Sequence, residues 1–197
     1  RAYEGKIFKS RDHSERLHRS ADILGFKVPF SVDEIERAKA ELIDKMGFDS
    51  AYVRALAWRG SEMMGVSAQQ NTIRTAIAVW QWGDYFADKA KGIQMTHAKW
   101  RRPAPDTAPS NSKAAGLYMI CTMSKHAAEQ EGFADALMLD WRGQVAEATG
   151  ANIFFLRDGA LHTPTPDCFL NGITRRTVMG LAQKKGIEVI ERAIMPE

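Results

Sequence analysis

Long apolar runs, clustered charge and paired cysteines are all missing from this sequence. No apolar stretch approaches the roughly 20 residues that a membrane helix needs, and no signal-like segment opens the chain, so no membrane role is expected. Net charge is only +3. Lysine and arginine are spread along the chain, which leaves no basic face for nucleic acid. The densest basic pair, Arg101-Arg102, sits in a proline-rich loop. Cys121 and Cys168 match no metal or redox spacing and read as reduced, buried thiols of a cytoplasmic protein. His13, His18, His97, His126 and His162 show no HxxH or carboxylate spacing, so no metal site is expected. Internal repeats and low-complexity tracts are missing too.

What is present suffices for a folded core. With 197 residues, 45% of them hydrophobic and 26% charged, the chain fits one large domain or two small ones and is not disordered. Glu4-Gly5 predicts a tight turn between two short strands. A helix is expected over Asp12 to Leu24 with Leu17, Ala21 and Leu24 on its apolar face and Gly25 as its stop. The capping box Ser31-Val32-Asp33-Glu34 opens a second helix, expected to bury Ile35, Ala38, Leu42 and Met46 and to end at Gly47. Ser50 to Trp58 and Thr72 to Trp82 alternate as two antiparallel strands.

Residues 1–85 thus read as a small α+β domain, 86–92 as a linker and 93–197 as a larger, β-rich domain. In the latter, a strand over Ile93 to Trp100 leads through the prolines to a helix from Ala114 to Gln130. Strands follow around 134–140, 144–147 and 153–156, with Asp158-Gly159 as a hairpin turn. A last helix opens at Gly172, with Val178, Leu181 and Ala182 inward, before a strand over Ile187 to Ile194. Both ends read as cut, as though the chain were the central portion of a longer protein.

Chemistry concentrates between Asn111 and Asn152. Lys113 stands where the proline-rich loop gives way to a helix; it is either a solvated lysine or a nucleophilic amine that forms a Schiff base with an aldehyde. Tyr118 is either a core residue with a hydrogen-bonded tip or a phenol directed at the O3′ of pyridoxal phosphate. Glu147, in Val145-Ala146-Glu147-Ala148-Thr149-Gly150, is either an edge-strand carboxylate or the partner that keeps a pyridine nitrogen protonated. Gly172-Ile173-Thr174 opens a helix and could offer its amides and hydroxyl to a phosphate, which Arg16 could also clamp.

Together, Lys113 with Tyr118, Glu147, the Gly172-Ile173-Thr174-Arg175 run and Arg16-Leu17 with Ser20-Ala21 resemble the fold-type IV, or class IV, aminotransferases that depend on pyridoxal 5′-phosphate. The branched-chain amino acid aminotransferases are the nearest type. The resemblance implies a two-domain, D-amino acid aminotransferase-like α+β fold, with a small α+β domain and a larger pseudo-barrel domain. It implies Lys113 as Schiff-base lysine and proton shuttle, Tyr118 at O3′, Glu147 at the ring nitrogen and Leu170 against the ring. Arg16, Ile173 and Thr174 would bind phosphate. Arg54 would receive the distal carboxylate of glutamate, with Tyr85 and Arg1 near the same pocket. The implied reaction transfers the amino group of leucine, isoleucine or valine to 2-oxoglutarate in a homodimer, where Met63-Met64-Gly65-Val66 resembles the loop reaching the neighbouring subunit.

Some features depart from that pattern. Ala55 follows the Tyr-x-Arg motif where proline is common, and the N-terminal pocket aromatics and C-terminal Gly-Thr-Ala loop are absent, so these residues alone are expected to be inactive. Arg59-Gly60 faintly resembles D-selective members. D-amino acid aminotransferases, (R)-amine transaminases and aminodeoxychorismate lyases remain alternatives, as does a non-enzymatic relative without the cofactor.

Overall fold

The chain divides into two units, Arg1–Ala87 and Asp88–Glu197, in a computed structural model that describes residues 1–83 and 90–196. In the first unit, β1 (Ala2–Tyr3) and β2 (Lys6–Ile7) form an antiparallel hairpin. Its turn residues Glu4 and Gly5 have φ of 49° and 71°, the paired left-handed geometry that matches strand twist in two-residue hairpins. Helices α1 (Ser10–Ile23) and α2 (Val32–Met46) precede a ribbon of β3 (Tyr52–Arg59) and β4 (Ile73–Trp80), paired antiparallel from Tyr52↔Trp80 to Arg59↔Ile73. Alternate residues of β4 are shielded, as its period-2 pattern requires. Ala21, Val28 and Ile35 form the core here, with Leu17, Phe26, Ala55, Ala57 and Ile77 packed around them. Leu24, expected inside, is 37% exposed because the helix has ended at Ile23.

The cap of α2 is formed as the sequence predicts. The Glu34 N–H donates to Ser31 Oγ at 3.2 Å, and the Ser31 N–H donates to Glu34 Oε2 at 2.7 Å. Gly47 closes the helix with φ 63°. Ser31→Ala removes one half of this reciprocal pair and is expected to lower stability by about 1 kcal/mol, read as a reduced urea midpoint with unchanged m-value. The buried face differs from expectation, however. It runs through Ile35, Lys39 and Ile43, whereas Ala38 and Met46 are exposed and Leu42 is half-buried. Rotating the stripe by one residue places Lys39 against Ser14 of α1, where its ammonium donates to Ser14 Oγ at 2.6 Å and pairs with Glu36 at 2.9 Å. Those bonds satisfy a cation that burial alone would penalise.

Among the described residues, the second unit holds two three-stranded sheets. In one, β5 (Met95–His97) runs parallel to β6 (Asp135–Leu139), which pairs antiparallel with β7 (Val145–Ala148). The other has the order β10-β9-β8, with β8 (Phe155–Arg157) and β9 (Ala160–Pro164) antiparallel about the Asp158-Gly159 turn and β10 (Val189–Arg192) parallel to β9. A bond from the Val145 N–H to the Ile194 carbonyl, 2.7 Å, ties the first sheet to the segment after β10. Strand β5 is shorter than expected. The predicted helix from Ala114 instead begins as a 3₁₀ turn, Ala115–Tyr118, and becomes α3 only over Met119–Gln130. Helix α4 (Ile173–Lys184) buries Ile173, Arg175 and Ala182. Leu181, expected inward, is 54% exposed, and Val178 is half-buried. Cys121 and Cys168 are free and buried. Among the described residues no helix is long and apolar enough to cross a membrane.

Candidate active site

Three prolines keep the segment after β5 from forming regular structure, and it delivers Lys113 just ahead of Ala114, whose extended backbone opens the 3₁₀ turn. Ser110 and Ser112, 3% and 2% exposed, anchor that approach, with the Ser112 N–H donating to the Pro109 carbonyl at 2.9 Å. Lys113 and Tyr118 are themselves exposed. The tight turn brings them together: Lys113 Nζ donates to the Tyr118 hydroxyl and lies 4.8 Å from the ring centroid.

Glu147 lies on β7 between two buried alanines and opposite Met138 of β6. Its side chain is 13% exposed. Burial pushes its carboxyl up to about 7, while the cations of Arg102 and Lys113 pull the other way. Arg102 Nε stands 3.5 Å from Glu147 Oε1, and Asn152 Nδ2 stands 3.4 Å from Oε2. Neither contact is short, so this buried carboxyl retains capacity to accept a further hydrogen bond.

Asn152 links this group to the start of α4. Its amide also donates to the Leu170 carbonyl at 3.1 Å. A Cβ on Gly172 would stand 2.2 Å from Asn152 Oδ1, so any other residue there would force the Asn152 amide out of its present place. Gly172 caps α4 without a side-chain bond, and the first helical bond runs from the Arg176 N–H to the Gly172 carbonyl at 3.0 Å. The amides of Ile173 and Thr174 therefore precede the helical ladder. Ile173 is buried, Thr174 is exposed and Leu170 is half-buried. Arg175, 1% exposed, fastens the helix by donating to Asn171 Oδ1 at 3.1 Å, the Pro164 carbonyl at 3.0 Å and Glu191 at 2.6 Å.

The remaining candidates belong to the first unit. Arg16 lies on α1, one turn from His13, whose Nδ1 is 3.2 Å from the guanidinium. Burial first and the Arg16 charge second depress His13 to about 4, so near neutral pH His13 is an uncharged acceptor that orients Arg16. Arg1 donates to the Trp82 carbonyl and, at 3.1 Å, to that of Gly83. Arg54 is exposed on β3 with its guanidinium 5.1 Å from the Tyr52 ring centroid and 5.5 Å from that of Trp80. Tyr52 and Trp80 stack at 4.7 Å, with Trp82 completing an aromatic shelf. Tyr85 lies outside the described residues. Arg59, the hint of a D-selective relative, donates to the carbonyls of Ala68, Leu24 and Gly25 and stacks on Phe26. It is engaged in joining the ribbon to the end of α1.

The profile of the class IV amino-transferases matches residues 1–197. A probable branched-chain-amino-acid aminotransferase of Rickettsia bellii is 42% identical over 100% of this chain and 68% of its own length. The branched-chain amino acid aminotransferase of Escherichia coli superposes with a TM-score of 0.95 at 35% identity, covering 99% of this chain and 67% of that one. A T.th. branched-chain amino acid aminotransferase crystallised with pyridoxamine 5′-phosphate gives a TM-score of 0.93 at 35% identity, covering 99% and 66%. The chain belongs to the class IV aminotransferases. It spans about two thirds of the length of these relatives, and its fold is theirs.

Class IV aminotransferases use pyridoxal phosphate, and the residues of the second unit fit that group. A buried carboxyl with spare acceptor capacity suits a protonated ring nitrogen, an amine and a phenol are paired, and a glycine-opened helix start leaves amides for a phosphate. Sequence reasoning missed Arg102, Asn152 and the Tyr52–Trp80–Trp82 shelf. Arg102 carried no local signal, because a loop arginine beside prolines reads as solvated. The shelf was visible in part, since Tyr52 and Trp80 form a cross-strand pair once the register of β3 and β4 is known.

Proposed function

We propose that the full-length protein transfers the amino group of a branched-chain L-amino acid to 2-oxoglutarate, with pyridoxal 5′-phosphate held by the residues described above. The observation that carries this reading is the convergence of Lys113, Tyr118 and the largely shielded Glu147 in one unit of a class IV aminotransferase chain. Lys113 would hold the cofactor through its aldehyde until the substrate amine displaces it, and the cofactor would then supply an electron sink for the pair released when the substrate Cα–H bond breaks.

The chain's own residues account for the rest. The Lys113 amine would take the proton from the substrate Cα and deliver it to C4′, the former aldehyde carbon, acting as base and acid in turn. The Tyr118 hydroxyl, which accepts a hydrogen bond from that amine, would keep it oriented and would also partner O3′. Glu147 would accept a hydrogen bond from the ring nitrogen, Leu170 would pack on the ring, and Ile173 and Thr174 would receive the phosphate.

Arg54 reconciles an apolar and an acidic substrate. Lying over Tyr52 and Trp80 costs little to undo, because an exposed cation–π contact contributes only ~0.5–1 kcal/mol, whereas a charge-assisted bond to a carboxylate contributes ~1.5–3 kcal/mol. The arginine therefore leaves the shelf for the distal carboxylate of 2-oxoglutarate or glutamate, and the aromatic surface serves an aliphatic side chain otherwise. The T.th. relative has also been crystallised with N-(5′-phosphopyridoxyl)-L-glutamate, which supports glutamate as one of the amino donors. We expect Arg54→Gln to raise KM for 2-oxoglutarate roughly tenfold to a hundredfold and to leave KM for L-leucine within about twofold. Equal effects on both substrates would remove Arg54 from this role. A homodimer, with the exposed Met63 to Val66 loop at the neighbouring subunit, belongs to the same proposal.

Assays of the full-length protein with L-leucine, D-alanine and an (R)-amine as donors test the assignment. Turnover of L-leucine with 2-oxoglutarate, accompanied by an absorbance band that Lys113→Ala abolishes, is expected. No turnover of L-leucine beside turnover of D-alanine or the (R)-amine would assign the chain to a different class IV activity.

A further inference from the structure

Arg102 is 4% exposed, and its guanidinium reaches four segments of the second unit. It stands 3.2 Å from the Leu117 carbonyl in the 3₁₀ turn, 3.5 Å from Cys121 Sγ in α3, 3.4 Å from the Cys168 carbonyl and 3.5 Å from Glu147 on β7. The backbone holds it there. The Arg102 N–H donates to the Leu139 carbonyl at 2.8 Å, and Arg102 bridges Asp140 in parallel, extending the pairing of β5 and β6 beyond the end of β5.

We propose that Arg102 is a positioning residue for catalysis: a fixed cation, in place beside the Glu147 carboxyl, that favours its ionised form as the acceptor for a protonated ring nitrogen. The inference rests on the reading of Glu147 as the ring-nitrogen partner. Among the groups that face Glu147, Asn152 is neutral, and the Cys121 thiol is uncharged because burial raises it. Lys113 and Arg102 are the cations acting on the carboxyl. Lys113 gives up its charge whenever its amine works as a base, whereas a guanidinium keeps its proton under all physiological conditions. Even with both cations acting, burial leaves the carboxyl at about 7, so the constant partner is what keeps it from rising further. The same arginine binds the carbonyl of Leu117, the residue before Tyr118, so it couples the nitrogen-binding carboxyl to the turn that presents the phenol.

The test is a titration of Glu147 in the full-length protein stripped of cofactor, using carboxyl ¹³C-labelled glutamate with the signal assigned by Glu147→Gln. Arg102→Gln keeps hydrogen-bond donors without the charge and should raise the midpoint by at least about one unit, a tenfold change in ionisation ratio. Arg102→Lys should return it to within about half a unit of the wild type. An unchanged midpoint in a cooperatively melting Arg102→Gln protein overturns the proposal. If that variant does not fold, the wild-type Arg102 Nε–H resonance decides: moving with the Glu147 midpoint supports the coupling, and staying flat overturns it. With cofactor restored, an absorbance band unmoved by Glu147→Gln would overturn the ring-nitrogen reading itself, whatever the titration gives.

Discussion

Lys113→Ala is expected to lower L-leucine transamination by the full-length protein by a factor of roughly 10²–10⁴ or more, since positioned acid–base groups contribute on that scale and this lysine is the one we propose to carry the cofactor. The charge of Lys113 is not the reason, although it helps hold Glu147 below where burial alone would place it. Lys113→Arg separates the two roles. A guanidinium preserves the cation but neither gives up its proton near neutral pH nor condenses with an aldehyde, so the arginine variant should be as inactive as the alanine one. Stopped-flow measurement of the half-reaction with L-leucine, with circular dichroism to confirm the fold, reads this directly. Activity of Lys113→Arg within tenfold of wild type would show that the amine is dispensable. Lys113 is exposed and no core is disturbed, so a loss of activity here cannot be traced to unfolding.

Lys39→Met should produce the largest loss of stability. Breaking one partner out of a buried ion pair costs roughly 3–5 kcal/mol, and because Glu36 keeps 23% of its side chain in solvent we expect about 3 kcal/mol, read as a lowered urea midpoint. The ammonium of Lys39 joins Ser14 and Glu36, with the Ser10 carbonyl and hydroxyl at 3.3 and 3.4 Å. Methionine fills the volume but leaves the buried Ser14 and the carboxylate without a cation. The effect should depend on pH with a definite sign. Burial works to raise Glu36, but bonds from Ser10, Ser14 and Lys39 outweigh it and hold the carboxyl below its ordinary 4.5. A carboxyl depressed in the folded state contributes stability above its unfolded pKa and loses it as pH falls through the folded one. The gap between wild type and Lys39→Met should therefore be full above about pH 5 and narrow as the pH drops below about 4.5. A gap of constant size down to about pH 3 would separate Lys39 from Glu36. The double variant with Glu36→Leu should recover part of the loss, because it removes the orphaned charge.

Local chemistry made much of this chain legible. Glu4-Gly5 and Asp158-Gly159 specify their hairpins because consecutive positive φ angles are needed there, and Ser31 with Glu34 specifies a helix start because both donors and both acceptors lie within one turn. The spacing of Lys113 and Tyr118 singled out both residues, and the structure adds a direct contact between them. The buried face of α2 was not legible. Ala38 and Met46 satisfy an apolar pattern, but Ser14 and Glu36 accept the lysine that displaces them from the inward face. Arg175 was read as part of a motif, and only its contacts to Asn171, Pro164 and Glu191 explain why a cation lies deeper than Leu181.

The sequence by itself therefore determined the turns, the caps, the alternation of β4 and the residues able to bear the chemistry, since each depends on groups a few positions apart. Tertiary structure alone decided which charges are buried, which carboxyl is shifted and which arginine stands beside it. Arg102 and Glu147 are far apart in the chain, and Asn152 reaches Gly172 across another loop. An electrostatic environment is set by what lies within a few ångströms in space, and no local pattern encodes that.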